Sequence, residues 1–98
     1  MNVVHHGAMY PDYFRGSRGI TLSVSVDGRT TVGGVFSRLE QAFKDEDLYG
    51  IENPEAVESF FARWLADCRA SQDLRKPAYP LVEDDAEDVY AYFSIEGV

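Results

Sequence analysis

The stretch Gly19–Val26, GITLSVSV, decides how this chain is read. Ile20, Leu22, Val24 and Val26 fall on one side of an extended backbone, and Thr21, Ser23 and Ser25 on the other. That period-2 alternation is the mark of a strand with one buried face. Such a strand needs other strands beside it and an apolar layer against it. The segment Val89–Ile95, VYAYFSI, alternates in the same way, with Val89, Ala91, Phe93 and Ile95 on one face and Tyr90, Tyr92 and Ser94 on the other. The two are expected to pair, with Asn2-Val3-Val4 as a short edge strand.

Two helices are expected to supply the covering layer. Asn53-Pro54-Glu55 is a helix start: an N-cap, a proline where the missing N–H costs nothing, and acids that complement the dipole. From Pro54 to about Ser71 the apolar positions Val57, Phe60, Phe61, Trp64, Leu65 and Cys68 make one stripe. The other helix covers about Val35 to Lys44, but its start is open. In one reading Asp27-Gly28 forms a type I′ turn, Arg29–Val32 returns as a strand, and Ser37 with Glu40 caps the helix. In the other the helix begins soon after Thr30 or Thr31, supported by the face Val32, Phe36, Leu39, Phe43. Two glycines, Gly33 and Gly34, would cost that longer helix about 2 kcal/mol relative to alanine, so the hairpin is preferred. Leu48, Tyr49 and Ile51 are expected to return the chain to the core, and Tyr79, Leu81 and Val82 to pin the later connector. The fold class is therefore α+β: a single domain over residues 1–98, with an antiparallel sheet of about three to four strands and two helices packed on one face.

Composition narrows the function. The 98 residues are 45% hydrophobic and carry a formal net charge of −8. That charge repels nucleic acid and anionic membranes, so direct contact with either is not expected, and it favours a basic protein partner. Cys68 is the only cysteine, which precludes an intramolecular disulfide or a cysteine-built zinc site. No basic segment followed by an apolar run opens the chain and no stretch has the length of a membrane span, so a cytoplasmic protein is expected.

No motif announces catalysis or a cofactor. Gly33-Gly34 lacks the spacing of a dinucleotide fingerprint and the lysine of a phosphate loop. His5 and His6 are adjacent, which in a strand sends them to opposite faces and makes no metal pair. The run Glu83–Asp88 lacks the alternating ligands, central glycine and terminal glutamate of a calcium loop. An enzyme would need an ordered pocket around His5, His6 or the carboxylates, and none is visible in the sequence. No catalytic, metal or cofactor residues are assigned.

What remains is acid. Asp45-Glu46-Asp47 and Glu83, Asp84, Asp85, Glu87 and Asp88, with Tyr90 and Tyr92 read as exposed beside them, combine the charge and aromatic surface found at protein interfaces. These ten residues are the candidate partner-binding set. In size and in these acidic clusters the chain resembles the small proteins that phages and other mobile elements encode against host defences, the anti-CRISPR and DNA-mimic antirestriction proteins. That resemblance implies a stoichiometric inhibitor whose carboxylates occupy a basic nucleic-acid groove on an effector complex. An alternative is a regulatory or assembly module that uses Tyr10, Tyr13, Phe14, Tyr90 and Tyr92 as an apolar surface. The segment ITLSVSVDGRTTVGGVFSRLEQAF is also similar to the strand, turn and helix of ubiquitin-like β-grasp domains. The chain ends Glu96-Gly97-Val98, without the Gly-Gly of a modifier.

Overall fold

The alternation read in the sequence becomes a three-stranded antiparallel sheet in a computed structural model that describes residues 1–98. In chain order the elements are β1 (Asn2–Met9), a short 3-10 turn (Pro11–Tyr13), β2 (Ile20–Ser25), α1 (Val32–Lys44), α2 (Pro54–Ser71) and β3 (Tyr90–Glu96). The strand order is β1-β3-β2, so the last strand is central and GITLSVSV is an edge.

Register follows the pleat. Ile95 lies between Val3 and Ile20, Phe93 between His5 and Leu22, and Ala91 between Ala8 and Val24. These rungs face the helices. Leu22, Ala91 and Ile95 are almost fully buried there, against Val35, Phe36 and Leu39 of α1 and Val57, Phe61 and Leu65 of α2. The helices and strands share one hydrophobic core, the α+β arrangement with both helices on one face.

β1 is longer than Asn2–Val4. It continues through a bulge between His5 and Gly7, where Gly7 takes φ 92°. The bulge shifts the pleat by one residue, so Ala8 still faces the core. His5 and His6 do point to opposite faces. The His5 ring stacks on Phe93 at 4.5 Å, while His6 Nε2 shares a 2.8 Å hydrogen bond with Ser94 Oγ on the far side.

The preferred hairpin after Asp27-Gly28 is not formed. Asp27 Oδ1 instead accepts from the Arg29 N–H at 2.9 Å and from Thr30 Oγ1 at 3.1 Å, closing a local turn. Thr31 is the N-cap of α1, its Oγ1 accepting from the Gly34 N–H at 3.1 Å. Ser37 therefore lies inside the helix, and Glu40 pairs with Lys44 and Arg69 in place of a capping box. The glycine cost is met by tertiary contacts. The Val32 and Gly33 N–H groups, which a helix start leaves unpaired, donate to the carbonyls of Lys76 and Leu74 at 2.9 Å each. A Cβ on Gly33 would stand 3.0 Å from the Leu74 carbonyl oxygen, so glycine lets the connector approach. By contrast α2 starts as its sequence indicates, Asn53 Oδ1 accepting from the Ala56 N–H at 3.2 Å.

Two expected anchors stay outside. Leu48 and Ile51 pack on the core but Tyr49 is 94% exposed, and Tyr79 and Val82 pack while Leu81 is 99% exposed. No helix is long and apolar enough to cross a membrane.

Candidate functional site

The acidic run is held by the turn before α1. The Gly28 N–H donates to the Glu83 carbonyl at 3.1 Å, and the Val26 N–H to the Val89 carbonyl at 3.0 Å. Both ends of Glu83–Asp88 are thus tied to residues just after β2. Asp88 takes φ 59°, a conformation aspartate tolerates better than most residues. Glu83, Asp84, Asp85, Glu87 and Asp88 are all exposed, while Ala86 packs on the core. Their one cation partner is Arg29, whose Nε stands 3.9 Å from Asp84 Oδ2 with both side chains largely in solvent. Such a pair is weak, so the run stays anionic.

Asp45, Glu46 and Asp47 lie elsewhere. They follow the C-terminus of α1, whose thirteen residues span about 20 Å, whereas the Glu83 run sits near the N-terminal end. The two clusters occupy opposite ends of that helix. Asp45 and Asp47 also serve the local chain: Asp45 Oδ1 accepts from Gln41 Nε2 at 3.1 Å, and Asp47 Oδ1 from the Tyr49 N–H at 2.9 Å.

The two tyrosines read as exposed need correction. Tyr92 is buried, 8% exposed, because Phe14, in the loop between β1 and β2, stacks on it at 4.1 Å with ring planes 4° apart. Tyr90 is half-buried. The helix-free face of the sheet is capped there by its own chain. The exposed aromatics near the run are instead Tyr10 and Tyr13, at 50% and 67%, and with Leu81 they border a depression of about 320 Å³ that reaches Glu83 and Ala86. Leu81 was legible only as a hydrophobe.

A cleft of about 350 Å³ does form beside His5, between α1, α2 and the connector, lined among others by Trp64, Cys68 and Tyr79. Burial disfavours charge on three of its groups, His5, Cys68 and Tyr79. His5 Nε2 and the Tyr79 hydroxyl share a 2.8 Å hydrogen bond. Burial pushes the Tyr79 hydroxyl up to about 12. Burial, with the adjacent Asp67 charge, also raises the Cys68 thiol, which disfavours the nucleophilic thiolate. Burial and then the neighbouring His6 hold His5 below the usual histidine value. No group of three or more His, Cys, Asp or Glu side chains is placed to hold a metal ion.

No family model, curated protein or solved structure matches this chain.

Proposed function

We propose that this is a non-enzymatic binding protein, an inhibitor of the anti-CRISPR or DNA-mimic type, encoded by a mobile element and acting in the cytoplasm. Its partner is a basic nucleic-acid-binding surface of a host defence complex. One observation carries this reading. Glu83, Asp84, Asp85, Glu87 and Asp88 form an exposed run anchored at both ends, whose one ion pair is the weak Arg29–Asp84 contact. Anchored carboxylates can stand in for phosphates, and a net charge of −8 steers them toward a basic groove. Asp45–Asp47 belong to a different end of the molecule and Tyr92 is covered, so the interface centres on the Glu83 run.

The test is competition. Guide-loaded CRISPR effectors and restriction enzymes are mixed with their DNA, with and without this protein, at low and raised salt. Loss of DNA binding is expected for at least one of them, relieved by salt. Reversing Glu83, Asp84, Asp85, Glu87 and Asp88 to lysine, in a variant whose circular dichroism is unchanged, should abolish the effect. Equal inhibition by that variant sinks the acidic-surface mechanism, and no inhibition of any effector sinks the inhibitor reading.

A second reading is favoured by Leu81, Tyr10 and Tyr13, which expose apolar surface beside the same run. A regulatory or assembly module would bind a protein through these residues, with little dependence on salt.

A further inference from the structure

A groove of about 740 Å³ runs between the C-terminal half of α1, the loop after it and α2. Its floor is apolar, formed by Phe43, Leu48, Phe61 and Leu65. Phe43 and Phe61 stack there at 4.5 Å. Ala62 and Ala66, both exposed and one turn apart on α2, and half-buried Phe43 and Leu48 present the apolar surface of the groove, while Phe61 and Leu65 stay buried in the core. The rim has two cations, and Glu40 holds both: Lys44 Nζ at 3.4 Å and Arg69 Nη1 at 2.8 Å. Glu46, Asp47 and Glu58 are left without a basic partner, so the rim is net negative.

We infer that this groove binds an amphipathic basic helix of a partner protein. The apolar floor requires an apolar stripe, and the acidic rim requires Lys or Arg on either side of it. No strand lines the groove, so a bound backbone finds no sheet edge to pair with. A helix, which satisfies its own N–H and C=O groups, needs none. Such a helix lies against α1 and α2 as the third member of a small bundle, and the two alanines allow its backbone to come close. The inference goes beyond the function proposed above, since the groove and the Glu83 run sit at opposite ends of α1.

The probe is a fluorescently labelled 18-residue peptide of leucine and lysine (length set at roughly five helical turns). Leucines stand at positions i, i+3, i+4 and i+7. Anisotropy measures its affinity, and amide chemical shifts locate it. Binding is expected in the micromolar range, with shifts clustered on residues of α1, α2 and the 45–48 loop. The variant Ala62→Arg fills the groove from an exposed position that the fold does not need, and should weaken binding at least about tenfold. A peptide of the same composition scrambled to remove the stripe should lose as much. Neutralising the five Glu83–Asp88 carboxylates to their amides, read at about 0.3 M salt where long-range charge is screened, should change affinity less than about threefold, which separates this inference from the proposed function. No binding, equal binding by Ala62→Arg, or shifts centred on Glu83–Asp88 would overturn it.

Discussion

A side chain at Gly28 has nowhere to go: a Cβ there would run into the Val82 carbonyl oxygen and crowd Asp84. The backbone itself cannot retreat, because the Gly28 N–H is bonded to Glu83. Gly28→Ala should therefore cost about 1–3 kcal/mol, the usual range for overpacking, and shift the amides of residues 82–85. Urea unfolding and an amide spectrum check both, and an unchanged variant would mean the run is not seated on this turn. His5 makes a pH prediction. Its folded pKa lies below 6.5, the value in the unfolded chain. As pH falls below about 6.5 the unfolded chain takes up the proton first, so stability drops until the folded value is passed. Above that window both states are neutral and the full contribution is present. His5→Gln keeps a polar partner for Tyr79 but does not titrate. The difference in urea midpoint between pH 8 and pH 5.5 should shrink in that variant.

Among the elements, β2, β3 and α2 were legible because each carries its own instructions. Alternation in β2 and β3 states which face is buried, and Asn53-Pro54-Glu55 states where α2 starts. The start of α1 was legible only as two alternatives, and the one beginning after Thr31 is the one formed. Its first N–H groups are satisfied by Leu74 and Lys76, some forty residues on, and no local rule reports such partners. The second half of β1 is not legible because its bulge interrupts the alternation at His6-Gly7. The C-terminus of α1 yields a further prediction. Asp45 is its C-cap, where negative charge opposes the helix dipole. Asp45→Asn retains an acceptor for Gln41 and removes that charge, so it should stabilise the fold by about 0.3–1 kcal/mol, seen as a higher thermal midpoint. A lower midpoint would show that the carboxylate itself is needed.

For the whole molecule, the exposure of the acidic charge was legible and the arrangement of its clusters was not. The net charge of −8 and the exposure of Glu83–Asp88 and Asp45–Asp47 follow from composition, since carboxylates seldom enter a core. Whether the two clusters adjoin depends on the direction of α1 across the sheet, which spacing does not encode. The burial of Tyr92 is a similar case. Its partner Phe14 lies across the sheet in a loop, so the pair exists only once β1 and β3 are joined.

The strand that both edges require comes after every other element in the chain. Asn2 pairs with Glu96 and Ile20 with Ile95, so nearly all sheet pairing joins the first quarter of the chain to its last tenth. Closing such long loops is entropically costly before any contact rewards it, which slows folding relative to a helical protein of this size. On the ribosome, β1 and β2 must wait with unpaired edges until β3 has been made. A nascent chain stalled before Tyr90 has two helices to collapse around but no sheet, and its two early strands are then open to pairing with neighbouring chains.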